Sequence, residues 1–144
     1  MNPAPTLRGS CLCQGIRYEI SGALTHMLHC HCSMCRKATG AAFRSRATVR
    51  SDAFRWLQGE ALLGRYASSP GQTRTFCSRC GATLVTLFDD YPQYMGLALG
   101  TLDDDPQQHP VAHVHVASKA PWFSITDDLP QFPDELPRDF FETK

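Results

Sequence analysis

The seven cysteines stand in three close groups, and none is isolated. They are Cys11-Leu12-Cys13, Cys30-His31-Cys32-Ser33-Met34-Cys35 and Cys77-Ser78-Arg79-Cys80. Cysteines one or two residues apart can aim their sulfurs at a single ion across a tight turn, and two such clips complete a tetrahedral site. An odd number fits a disulfide framework poorly. The start, Met1-Asn2-Pro3-Ala4-Pro5, shows neither a basic region nor an apolar stretch of the secretory kind. Seven divides naturally as four plus three. Four thiolates make a closed structural zinc site, whereas three leave a position open, the arrangement of a catalytic zinc. Two zinc ions per chain are therefore expected.

The partition is less determined than the number. Cys77-Ser78-Arg79-Cys80-Gly81 is the stronger clip, because Gly81 lets the backbone curl so that amide groups face the sulfurs. Its partner is either Cys11/Cys13, at a hairpin flanked by Gly9 and Gly15, or Cys32/Cys35 in a double-knuckle arrangement. The group at Cys30, Cys32 and Cys35 takes as its fourth ligand water, a substrate thiol, or one of His26, His29 and His31. In an extended strand His29 and His31 point away from Cys30 and Cys32, which favours an open site.

These residues have to be held by short strands. Ile16, Tyr18 and Ile20 alternate with Arg17 and Glu19, predicting a strand with one buried face. Further strands are expected over 28–32, 43–49, 54–57, 61–66, 72–76, 83–88, 94–99 and 111–116, and a short helical turn over 34–39, stopped at Gly40. In 43–49, Arg44, Arg46 and Thr48 oppose Phe43, Ala47 and Val49. No segment carries a long helical period, so the class is all-β, built of short antiparallel sheets in a single domain. The expected division is an N-terminal tail over 1–6, a zinc-binding domain over 7–125, and a Pro- and Asp-rich, extended tail over 126–144. Of the 144 residues, 14 Lys+Arg balance 14 Asp+Glu for a net charge of zero, 42% are hydrophobic and 19% charged. That balance argues against nucleic acid or an anionic bilayer as partner. No run is apolar for the roughly 18 residues a membrane span needs, and a cytoplasmic location is expected.

The ordered set Gly9-Ser10-Cys11-Leu12-Cys13, His29-Cys30-His31-Cys32-Ser33-Met34-Cys35-Arg36-Lys37, Phe76-Cys77-Ser78-Arg79-Cys80-Gly81 and Ser118-Lys119-Ala120-Pro121-Trp122 resembles the glutathione-dependent formaldehyde-activating enzyme family. The family is also called the centromere protein V domain. The resemblance runs from about Gly9 to Trp122. It implies coiled β-sheets stapled by zinc, with a structural ion on Cys11, Cys13, Cys77 and Cys80 and a second on Cys30, Cys32 and Cys35. It also implies a carbon–sulfur lyase activity that joins formaldehyde to glutathione as S-hydroxymethylglutathione, or releases it.

Three thiolates and a zinc ion carry one net negative charge and suit a soft fourth ligand such as a thiolate. A thiol bound there attacks a small aldehyde, and the resulting oxyanion needs a proton, for which His113 is the candidate. The alternation Val111-Ala112-His113-Val114-His115-Val116 puts His113 and His115 on one face, which as a polar outer face needs no function. Arg36, Lys37 and Lys119, with Arg44 and Arg46, are candidate partners for the carboxylates of a glutathione-like substrate. Trp122 is expected to anchor the C-terminal segment in the core. A non-catalytic, zinc-stabilised β interaction module and a redox or metal-handling protein are the alternatives to the enzyme.

Overall fold

The alternating residues around Tyr18 become sheet where they were expected to. Ile16, Tyr18 and Ile20 are all fully buried, and the strand they announce, β2 (Arg17–Ser21), lies between β1 (Thr6–Ser10) and β5 (Phe54–Gln58) in a three-stranded antiparallel sheet. The computed structural model describes residues 6–141. Most of the expected N-terminal tail (1–5) and the last three residues of the C-terminal one lie outside the described residues, and Thr6 already opens β1.

The second sheet has seven strands. They are β3 (Thr25–Cys30), β4 (Arg44–Arg50), β6 (Leu63–Ser69), β7 (Gln72–Cys77), β8 (Thr83–Phe88), β9 (Tyr94–Ala98) and β10 (His113–Val114). Their order is β10-β3-β4-β9-β8-β7-β6, antiparallel except where β10 joins β3. One α-helix, α1 (Ser33–Thr39), connects β3 to β4 and stops on Gly40 in the left-handed region, as the sequence predicts.

The two faces of β4 separate core from cavity. Ala47 and Val49 pack with Leu84 of β8, Leu97 of β9, and Tyr18 and Ile20 of the smaller sheet in one apolar cluster. Each large side chain fully buried there stabilises the fold by roughly 1.5–3 kcal/mol. Arg44, Arg46, Thr48 and Arg50 face the other way and line a cavity. Close packing fixes Gly9: it stands opposite Tyr18 in the β1–β2 register, and a Cβ there would lie 2.2 Å from the Tyr18 ring.

Two expectations are corrected. The strand predicted over 111–116 is paired only at His113 and Val114, because His115 takes a left-handed backbone (φ 55°) and the chain turns into a 3-10 helix over Val116–Ser118. Trp122 is 71% exposed and anchors nothing in the core. That work is done further on: Phe140, with Phe132 and Leu136, covers Leu28, Cys30, Cys35 and Val114 in a second apolar cluster. Among the described residues the Pro-rich segment has no regular element after Ser118, yet it is hydrogen-bonded down, with Phe132 N donating to His113 O at 2.9 Å and His113 N to Pro130 O at 2.9 Å.

Candidate functional site

The cysteines gather into two sets. Cys11 and Cys13 sit in the β1–β2 turn, and Cys77 and Cys80 in the β7–β8 turn; the four sulfurs lie within 4.8 Å of one another. Cys11 Sγ and Cys13 Sγ are 3.6 Å apart, and Cys13 Sγ and Cys77 Sγ 3.8 Å. Sulfurs held 2.3 Å from one tetrahedral ion stand about 3.8 Å apart, so this set fits a metal ion. The turns also aim amides at the sulfurs. Ile16 N donates to Cys11 Sγ at 3.3 Å, and Gly81, at φ +81°, lets its N–H return to Cys77 O at 2.7 Å. The Ala82 N–H, foremost, lowers the Cys80 thiol to about 6, which favours the ligating thiolate. Of the two pairings left open by spacing, the structure has Cys11/Cys13 with Cys77/Cys80.

Cys30, Cys32 and Cys35 form the second set, also within 4.8 Å. Cys30 ends β3, Cys32 caps α1 by accepting from Cys35 N at 3.3 Å, and Cys35 is buried in the first helical turn. Cys35 shares hydrogen bonds with Cys30 and Cys32 and takes a further one from Arg74, and these hold it well below the ordinary thiol range. Cys30, the other end of the same bonds to Cys32 and Cys35, is pushed up. Arg74 Nη2 lies 3.6 Å from Cys35 Sγ. Among the described residues no histidine nitrogen joins either set of sulfurs. Both sets of side chains can hold metal ions.

His29 and His31 point away from the sulfurs, as the alternation predicts. His29 Nδ1 meets Ser45 Oγ at 2.8 Å. His31 Nε2 meets His113 Nδ1 at 2.8 Å, and His113 Nε2 meets Asp127 Oδ2 at 2.9 Å. Burial first, with His113 and His29 nearby, brings His31 down to about 4, so its ring is neutral at neutral pH. With a carboxylate as its acceptor, His113 Nε2 carries hydrogen; in a neutral ring Nδ1 then accepts from His31 Nε2–H. That leaves the buried His31 Nδ1 as a bare lone pair, and it has no partner. Nothing in the sequence marks this string, because Asp127 lies in a segment without periodicity.

A cavity of about 950 Å³ opens on the three sulfurs and on Arg44, Arg46, Arg50 and Arg74. Phe88, Tyr91 and Tyr94 line it as well. His115 faces this cavity and His113 does not line it. Arg36 and Lys37 lie on α1 without lining it, and Lys119 Nζ donates to the Ala120 and Phe123 carbonyls. Arg74, which the sequence hid in an ordinary Thr-flanked strand, does line it. Arg44 is lowered to about 10 by burial and remains charged.

The family model described as glutathione-dependent formaldehyde-activating enzyme matches residues 6–118. The chain belongs to this family. A Halomonas elongata relative, provisionally named a glutathione-dependent formaldehyde-activating enzyme, is 27% identical over 128 residues, 83% of this chain and 80% of its own length. An uncharacterized lyase of Schizosaccharomyces pombe is 30% identical over 80 residues, 56% of each chain. A crystal structure of a Rhodobacter sphaeroides protein has the same fold, with a TM-score of 0.58 and 24% identity over 72% of this chain and 97% of that one. Membership in the family and the lyase-named relative support a glutathione-related, lyase-type role. No helix of the described residues is long and apolar enough to cross a membrane.

Proposed function

We propose that this protein is a cytoplasmic, zinc-dependent carbon–sulfur lyase that forms or cleaves a thiol–aldehyde adduct of the S-hydroxymethylglutathione kind. The observation behind this reading is the trio Cys30, Cys32 and Cys35: three sulfurs within 4.8 Å, unaccompanied by histidine and facing a cavity. Cys11, Cys13, Cys77 and Cys80 would hold a structural zinc, and the trio a second one. Bound at the trio, zinc supplies an open position that keeps an incoming thiol deprotonated near neutral pH.

The chain's own residues do the rest. The Arg74 N–H on Cys35 Sγ favours thiolate over thiol at that sulfur, and the Cys35 N–H holds Cys32 Sγ in place. In the synthetic direction the substrate sulfur bonds to the aldehyde carbon and the C=O π pair moves to oxygen. His115, which lines the cavity together with His26, gives that oxygen its proton, and takes it back when the C–S bond breaks. His113, the candidate from the sequence, acts as a positioning residue: held by Asp127, it fixes His31 between Cys30 and Cys32. Arg36 and Lys37 meet the parts of a glutathione-like thiol that extend beyond the cavity.

The test is NMR of ¹³C-formaldehyde with glutathione. Adduct formation should run above its spontaneous rate with the protein and return to it with Cys35→Ser, the fold being retained. No acceleration by the unaltered protein, with formaldehyde or with any other small aldehyde, sinks the reading. Equal unfolding by Cys30→Ser and Cys77→Ser would point instead to a non-catalytic, metal-stabilised module.

A further inference from the structure

Arg44 and Arg74 place two positive charges on the cavity floor, and they are only 3% and 9% exposed. Arg44 Nη1 donates to Thr86 Oγ1 at 2.7 Å and Nη2 to Gly96 O at 3.1 Å. Arg74 stands opposite Thr86 in the β7–β8 register and spends Nη2 on Cys35 Sγ. Arg44 Nε, Arg74 Nε and Arg74 Nη1 remain buried with no acceptor. Among the described residues neither arginine has a carboxylate at ion-pairing distance. Glu135, the acidic side chain lining the cavity, is exposed and pairs with neither.

A buried guanidinium without a counter-charge is strongly destabilising, and its fork matches a carboxylate in two parallel bonds. The cysteine trio offsets part of the charge: three thiolates around a divalent ion sum to one negative charge. A positive excess stays on the floor even in a chain whose net charge is zero.

Resting on the lyase reading above, we infer that one of the two reacting molecules carries a carboxylate a bond or two from the carbon that bonds to sulfur, seated on Arg44 and Arg74. Position selects this class. Arg74 touches Cys35, so an acid group on that guanidinium lies beside the reacting sulfur. Formaldehyde has no acid group, and the carboxylates of glutathione are far along its backbone from its sulfur. A short 2-oxo acid such as glyoxylate, or a short mercapto acid, places one where the arginines are. In the addition the S–C bond forms, the C=O π bond opens, the thiol proton ends on oxygen, and the carboxylate is unchanged; no oxidant or reductant takes part.

The experiment uses the full chain replete with zinc and compares charged with neutral partners in two arms. Calorimetry compares mercaptoacetate with 2-mercaptoethanol, and NMR compares glyoxylate with formaldehyde as partners of glutathione. The acid should bind or react about tenfold better, a difference worth about 1.4 kcal/mol, in at least one arm. Preference in the first arm assigns the carboxylate to the thiol, and in the second to the carbonyl partner. Arg44→Gln should abolish the preference, and Arg44→Lys should restore only part of it. Equal behaviour of acid and neutral partners in both arms overturns the inference, as does a preference that survives Arg44→Gln combined with Arg74→Gln. Should those variants not fold, acetate must compete with whichever acid is preferred, mercaptoacetate or glyoxylate, on the unaltered protein, and absence of competition overturns it equally. Turnover of no carbonyl, with the mercaptoacetate preference intact, would remove the lyase reading and uphold the acid site.

Discussion

Cys13 Sγ lies 3.8 Å from Cys77 Sγ, although 64 residues separate them in the chain. The contact joins the turn of the three-stranded sheet to the turn at one side of the seven-stranded one. Structural zinc contributes about 10–16 kcal/mol to small domains, comparable to the whole stability of about 5–15 kcal/mol of a domain.

Metal analysis should therefore find close to two zinc ions per chain. Cys77→Ser should lose one of them together with the cooperative thermal transition seen by circular dichroism. Cys35→Ser should lose the other and leave a cooperative transition in place. A cooperative transition unchanged in Cys77→Ser would refute the structural role of the four-sulfur set.

Gly9→Ala tests the packing beneath that turn. The added methyl would stand 2.2 Å from the Tyr18 ring and 2.7 Å from the Thr101 carbonyl oxygen. It would also disturb the 2.6 Å hydrogen bond between Tyr18 Oη and Thr101 Oγ1. Overpacking of this kind costs about 1–3 kcal/mol, and denaturant unfolding should show the midpoint falling with little change in slope.

The His113–Asp127 pair gives a pH signature. The hydrogen bond from His113, chiefly, holds the Asp127 carboxyl below its ordinary value. A carboxyl depressed in the folded state stabilises the fold above its unfolded pKa of about 3.9 and loses that contribution as pH falls through the folded value. Asp127→Asn should therefore lower Tm at pH 6, and the gap from the unaltered protein should close as the pH falls below about 4. A gap independent of pH would show that Asp127 acts through packing alone.

His115→Asn separates proton transfer from structure. Asn tolerates the left-handed backbone that His115 adopts at φ 55°, so Tm should hold while the imidazole is lost. General acid–base groups contribute about 10²–10⁴-fold, and kcat for adduct cleavage should fall within that range. His113→Gln should instead lower Tm, since His113 is 1% exposed inside the hydrogen-bonded string.

Much of the fold was legible because side-chain alternation and turn residues are local. The β2 face, the Gly40 stop and β7 to β9 follow directly from Ile16-Arg17-Tyr18-Glu19-Ile20, from Gly40 and from the runs over 72–99. The run 111–116 misled, since six alternating residues look the same whether paired along their length or at two positions. What shortened it was the left-handed turn at His115 and the C-terminal segment hydrogen-bonded to His113. Trp122 misled for a related reason, because hydrophobicity does not say which of several aromatic residues reaches the core.

The sequence by itself determined the number and type of side chains that can hold a metal ion, the mainly β class, and the orientation of His29 and His31 away from the sulfurs. Each depends on residues a few positions apart, where backbone geometry leaves little choice. Only the tertiary structure decided which sulfurs meet, that His115 rather than His113 faces the cavity, and that Arg74 of β7 reaches Cys35 of α1. Those are juxtapositions of distant segments, set by strand order and by closing β3, β4, β9, β8 and β7 into one surface. A neutral chain can in this way collect four arginines on a single cavity wall.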